Sequence, residues 1–223
     1  MLKNGLVDQI YNIIKDKIIN LEFGFGERID IQKIAEEFGI SQTPVREALN
    51  RLAKDKLVTI SPRKGYYVTE MSLEDVQEIY EIRKIFEIYA LEDGMENINF
   101  NELEKLKKKM KKELQGKITN GKRKIKFETD KKLHLLIVDS CKNRKLKEMY
   151  SQIHDFIKIF QRINPGFKET LEEHMALIDT ILKRDTEKAK KLLQIHIENA
   201  KERMVKALKN SNLKKKGSAI FST

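Results

Sequence analysis

A mainly α fold in two domains is what this sequence predicts, the first carrying a small β-hairpin and the second all helix. Three observations predict it. Apolar residues recur at helical spacing through most of the 223 residues. Strand-like segments are confined to residues 57–69. From Ser72 onward the chain reads as helix with no convincing strand. A chain of this length supports two hydrophobic cores. Its composition, 40% hydrophobic and 35% charged, suits a helix-rich globular protein rather than a disordered one.

The elements follow in order. Leu6, Ile10, Ile13, Ile14 and Ile18 share one face of a first helix over 6–20. Phe23-Gly24-Phe25-Gly26 ends it. A short second helix spans Ile31 to Phe38, with Ile31, Ile34, Ala35 and Phe38 inward and Gly39 as a left-handed stop. Ser41-Gln42-Thr43-Pro44 opens a third helix, with Ser41 or Thr43 as cap and Pro44 in the first turn. Val45, Ala48, Leu49 and Leu52 form its inner face. Leu57–Ile60 and Tyr66–Thr69, joined by Ser61-Pro62-Arg63-Lys64-Gly65, read as a hairpin. Helix, helix, tight turn, helix, hairpin is the order of a winged helix-turn-helix. Six helices are then expected near 73–93, 100–116, 121–141, 144–162, 168–183 and 185–210. Ser72 and Asn143 read as caps, Asn164-Pro165-Gly166 as a break. The domains are expected at 1–70 and 71–212, with 213–223 a disordered tail.

Several classes are excluded early. No apolar run approaches the about 20 residues of a membrane span. The start, MLKNGLVDQIYN, does not read as a signal peptide. Cys141 is the single cysteine, so no intrachain disulfide is expected and a reducing cytoplasm is the default. The net charge of +11 suggests a nucleic-acid partner, but its location weakens that argument. Residues 1–69 hold 11 Lys/Arg against 9 Asp/Glu, whereas residues 105–132 hold 13 against 3. The basic excess lies outside the helix-turn-helix and reads as a solvated face.

The third helix carries the stronger signal. With its apolar face packed inward, Arg46, Glu47, Asn50, Arg51 and Lys54 point out. Recognition helices read base edges near their N-terminus, where Gln42, Thr43 and Arg46 stand. Arginine favours guanine O6/N7 and glutamine adenine N6/N7. Arg63 and Lys64 at the hairpin tip are placed for phosphate or minor groove. The segment GERIDIQKIAEEFGISQTPVREALNRLAKDKLVTISPRKGYYV, and ISQTPVREALNRL most specifically, resembles the N-terminal domain of GntR-family regulators. The resemblance covers residues 6–69. It implies that this segment carries the recognition helix and that Gly65 sits in the wing. The family commonly has arginine where this chain has Gln32 and Gln42, both positions that contact DNA; Arg46 matches. The candidate DNA-contacting set is therefore Gln32, Ser41, Gln42, Thr43, Arg46, Asn50, Arg63, Lys64 and Gly65.

The second domain holds all four histidines: His134, His154, His174 and His196. Asp130 and His134 are four apart on a predicted helix, a spacing that lets a carboxylate and an imidazole share one cation. His174 and His196 are flanked by apolar residues, which suggests burial. Residues 73–210 resemble the FCD ligand-binding domain of the FadR subfamily, six helices pointing to its VanR-like branch. YEIRKIFEIYAL resembles that domain's first helix and FETDKKLHLLIVDSCKNRKL its D-x-x-x-H segment, with Leu133 where the family usually has Phe. The resemblance implies that Asp130, His134, His174 and His196 hold one divalent cation, Zn²⁺ first, with Ni²⁺ or Mn²⁺ also suited. His154 has no counterpart and is either structural or solvent-facing. Arg83 either faces an effector cavity, pairing with the carboxylate of a small organic acid, or is a surface or ion-paired residue.

The expected function is a ligand-responsive DNA-binding regulator, homodimeric on double-stranded operator DNA. Its effector would be a small-molecule carboxylate, and no membrane is involved. The competing reading is a metal-dependent hydrolytic enzyme, since a His₃Asp ion with open positions activates water. It leaves the N-terminal domain unexplained, and no general base or nucleophile stands in a motif. An architectural DNA-binding protein is disfavoured by the separate sensor-like domain.

Overall fold

The computed structural model describes residues 2–115, 120–163 and 166–210. The chain divides after Ser72 into two compact units. The expected tail, 213–223, and Asn164-Pro165 of the expected break lie outside the described residues.

The first unit comprises α1 (Leu2–Ile19), β1 (Arg28–Ile29), α2 (Ile31–Phe38), α3 (Gln42–Lys54), β2 (Val58–Ser61) and β3 (Gly65–Val68). Its core forms where α1 packs on α3. Ile10, Ile14 and Ile18 are buried, as are Val45, Ala48, Leu49 and Leu52, the inner face expected of the third helix. Capping sets where the helices start and stop. Asp30 accepts from the backbone N–H groups of Gln32 and Lys33 at 3.0 and 3.1 Å, satisfying two orphan donors of α2. Gly39 has φ 61°, and Ile40 N–H donates to the Ala35 carbonyl at 3.0 Å, which closes α2 and turns the chain into α3. Ser41 occupies the N-cap position of α3, but its hydroxyl makes no capping hydrogen bond.

The expected hairpin is part of a three-stranded antiparallel sheet of order β1-β3-β2. Strand β2 pairs with β3 from Val58↔Val68 to Ser61↔Gly65. Strand β1 adds Arg28↔Tyr67 and Ile29↔Tyr66. Two residues are too few to display the alternation by which a strand is read from sequence, so β1 was not expected. The tip requires positive φ at Arg63 (63°) and Gly65 (119°). Tyr66 Oη donates to Asn50 Oδ1 at 2.9 Å and ties the sheet to α3.

The second unit contains the six expected helices: α4 (Leu73–Gly94), α5 (Phe100–Leu114), α6 (Asn120–Ser140), α7 (Arg144–Ile163), α8 (Phe167–Leu182) and α9 (Thr186–Asn210). A 3-10 turn at Met95–Asn97 follows α4. Asn143 caps α7 by accepting from Leu146 N–H at 3.1 Å, and Asn99 caps α5 through Glu102 N–H at 3.2 Å. Helix α4 packs against α6, α7 and α9. Its inward stripe is Val76, Tyr80, Arg83, Glu87, Ala90, Leu91 and Gly94. Two members of that stripe are charged, an arrangement tolerated only where burial is compensated. No described helix is long and apolar enough to cross a membrane.

Candidate functional site

In the first unit the nominated residues lie at the surface. Gln32, Ser41, Gln42, Thr43, Arg46, Asn50, Arg63 and Lys64 are all exposed, and Gly65 is half-buried at the tip. Arg46 Nη2 donates to Gln42 Oε1 at 3.2 Å, one turn apart on α3. That contact steadies a long arginine at the N-terminal end of the helix. Gln32 donates to Glu36 at 2.9 Å along α2. Asn50 differs in kind, because its side-chain oxygen is engaged by Tyr66. Arg28, a residue sequence reasoning passed over, is exposed on β1 with its guanidinium beside Gly65. It was missed because β1 itself was not legible.

In the second unit the structure brings His134, His174 and His196 together from α6, α8 and α9. All three are buried, and their candidate ligand atoms lie within 4.8 Å of one another. His174 Nε2 and His196 Nε2 are 3.1 Å apart, a spacing at which two nitrogens share a proton. Asp130 Oδ1 lies 3.5 Å from His134 Nε2 and accepts from Gln161 Nε2.

Two carboxylates outside the nominated set fix the imidazoles. Glu87 Oε2 is 2.5 Å from His134 Nδ1, and Glu173 Oε2 is 2.7 Å from His196 Nδ1. An ionised carboxylate only accepts, so each Nδ1 carries a hydrogen, and the neutral tautomer this selects has its lone pair on Nε2. Burial opposes ionisation of Glu87, but the Arg83 guanidinium and His134 outweigh it and hold the carboxyl far below the usual range. Burial likewise opposes ionisation of Glu173, and hydrogen bonds from His196 and Arg203 lower it to about 2. Burial depresses His196, which favours the neutral form a metal requires. His134 Nε2 is buried with no hydrogen-bond partner among the described residues. A lone pair in that position fits a cation better than it fits a dry core. The donor set, three imidazoles with a carboxylate alongside, suits a borderline divalent ion.

Arg83 is 1% exposed, which disposes of the surface alternative. It is ion-paired, with Nε donating to Glu87 Oε1 at 2.8 Å, and it also lines a cavity. Tyr80, Asp130, Gln161, Thr170 and His196 line the same cavity, whose volume is about 10 Å³, space for about one water. Arg83 Nη2 has no partner among the described residues. The ion-paired alternative therefore holds for Arg83, and the cavity it lines is smaller than an organic acid. His154 is buried against Tyr150 and stands apart from the histidine cluster, so of the two places left open for it the structure gives the interior one. Glu87, Glu173, Gln161 and Tyr150 were missed because nothing local marks them; only the fold brings α4, α7 and α8 to the histidines.

Residues 6–68 match the bacterial regulatory proteins of the gntR family, and residues 78–199 match the FCD domain. The HTH-type transcriptional regulator YdhC of Bacillus subtilis (strain 168) is 34% identical over 193 residues, covering 84% of this chain and 86% of YdhC. The structure of E. coli McbR/YncC superposes with a TM-score of 0.74 at 24% identity, over 91% of this chain and 98% of McbR, a likeness of fold. The Zn²⁺-bound FCD domain of TM0439 is 26% identical, with a TM-score of 0.55, over 62% of this chain and 96% of that domain. These relatives are named as transcriptional regulators or their domains, and the hydrolytic-enzyme reading has no support among them. The chain belongs to the GntR family as a member with an FCD domain: it is a DNA-binding transcriptional regulator.

Proposed function

We propose that residues 1–70 bind a roughly palindromic operator and that residues 71–212 sense a small carboxylate beside a divalent cation held by Asp130, His134, His174 and His196. The observation that carries the sensing half is the cluster of three buried histidines whose ligand atoms lie within 4.8 Å, adjoining the cavity that Arg83 lines. The Zn²⁺-bound FCD domain of TM0439 supports zinc as the resident ion. When bound, the ion supplies Lewis acidity and open coordination positions. The chain's own part is to orient the imidazoles through Glu87 and Glu173, to favour neutral His196 by burying it, and to offer Arg83 to an anion.

On the DNA side, Gln42, Thr43 and Arg46 read bases, with Gln42 buttressing the arginine. Ser41, whose hydroxyl is not spent on capping, Gln32, Arg28, Arg63 and Lys64 serve phosphates or the minor groove. A short recognition helix reads only a few base pairs, so specificity requires two half-sites and hence a homodimer. An apolar stripe on α4 supports a protein partner: Ile82, Ile85 and Tyr89 share a face and are 39%, 63% and 47% exposed.

Footprinting on the DNA upstream of the protein's own gene tests this reading. The expected result is a two-fold symmetric protected site whose affinity changes with organic acids when Zn²⁺ is present and not after chelation. Equal affinity for operator and unrelated DNA would contradict the regulatory reading. Specific binding indifferent to every acid and to chelation would contradict the sensing half alone.

A further inference from the structure

Glu87 lies one turn beyond Arg83 on α4 and is 0% exposed. Its two oxygens serve different partners. Oε1 accepts from Arg83 Nε at 2.8 Å and from Tyr150 Oη at 2.7 Å. Oε2 accepts from His134 Nδ1 at 2.5 Å. One buried carboxylate is therefore divided between the arginine that lines the cavity and a histidine of the cluster. Arg83 keeps one guanidinium nitrogen, Nη2, without a hydrogen-bond partner among the described residues.

We propose that Glu87 is a positioning residue that couples Arg83 to His134, so that an anion at Arg83 and a divalent cation at the histidines strengthen each other's binding. The proposal rests on the metal and anion sites proposed above. Its physical basis is a competition for one negative charge. By accepting the Nδ1 hydrogen, Glu87 makes Nε2 of His134 a better donor to a cation. The guanidinium beside Oε1 draws on the same charge and weakens that effect. An anion approaching Nη2 takes up part of the guanidinium's positive charge and leaves more of the Glu87 carboxylate to His134. Because coupling of binding free energies is reciprocal, a cation at the histidines must favour the anion by the same factor. In a site this buried, charges a few ångströms apart interact far more strongly than in water.

The two members of the ion pair then have opposite signs, and a merely structural pair would not. The experiment titrates the full-length protein with Zn²⁺ alone, against a chromophoric chelator, at fixed pH above the titration range of histidine. Glu87→Gln should bind Zn²⁺ about 10–100-fold more weakly, the usual loss when the outer partner of a ligating histidine goes. Arg83→Met should bind it several-fold more tightly, since the full carboxylate then faces His134. Tyr150→Phe removes one donor from Oε1 without leaving a buried charge, and it should also tighten binding, by less. If Glu87→Gln fails to fold, the other two variants decide, their helix content being checked first. Tighter binding in both supports the coupling, and weaker or unchanged binding in both overturns it. A folded Glu87→Gln with wild-type affinity overturns it as well. A wild type that takes up no Zn²⁺ fails the metal reading itself and this proposal with it. A wild type that binds Zn²⁺ while every variant weakens it fails the coupling alone.

Discussion

His154 is a buried imidazole with neither ring nitrogen hydrogen-bonded to a described residue. Burial first, then the positive charge of Lys158, lowers its pKa from 6.5 to about 4. The folded state thus holds it neutral. Between those two values the unfolded chain binds a proton that the folded chain refuses. The stability involved is fully present above 6.5 and is lost as pH falls toward 4, by up to about 3 kcal/mol. Thermal melts in the presence of a chelator check this. The wild type should lose melting temperature more steeply across that window than His154→Gln; parallel curves would contradict it. On the DNA-binding side, Arg46→Ala should cost specific binding ~1–3 kcal/mol, the worth of a good base contact. Lys64→Ala should instead weaken binding to every sequence and flatten the salt dependence. Affinity measured on operator and random DNA over a salt series separates the two, and an identical uniform loss in both variants would contradict the division. Such roles were legible to different degrees. Arg46 stands on a helix whose inner face the sequence displays, so its outward place follows from periodicity. The Nδ1 partners of His134 and His196 lie 47 and 23 residues away in sequence, and no local pattern announces them.

At the scale of elements, the helices were readable because each carries its own period and several carry caps: Gly39 for α2, Asn143 for α7. What the sequence did not display is close approach between elements. Gly94, the last residue of α4, sits where a Cβ would come within 2.7 Å of the Ser140 carbonyl carbon and 2.8 Å of the Cys141 nitrogen, at the end of α6. Backbone atoms cannot turn aside as a flexible side chain does. Gly94→Ala should therefore destabilise the second unit by about 1–3 kcal/mol, the usual cost of overpacking, despite alanine's better helix propensity. Denaturant melts check it, and an unchanged midpoint would mean that the α4–α6 contact yields freely. The same helix shows why a hydrophobic pattern alone misleads. Arg83 and Glu87 fall on the buried stripe of α4, where apolar residues are the rule, and are tolerated there because they compensate each other.

For the whole molecule, the proposed divalent-metal site of Asp130, His134, His174 and His196 ties the stability of the second unit to its metal content. A metal bound only by the folded state adds RT ln(1 + [M]/Kd), ~2.7 kcal/mol at a hundredfold excess over Kd, so metal content and melting temperature should move together. Its affinity should fall as pH drops through the histidine range, because a protonated imidazole cannot ligate. The residues proposed to contact DNA belong to the other compact unit, so loss of metal should spare operator binding and blunt only its response to effector. Elemental analysis of the dialysed wild type and of four single-histidine variants tests the claim most directly. The expected result is about one divalent ion per wild-type chain, a marked loss in His134→Ala, His174→Ala and His196→Ala, and wild-type content in His154→Ala. Unchanged metal in the first three variants, or no metal in the wild type even after Zn²⁺ supplementation, would contradict it.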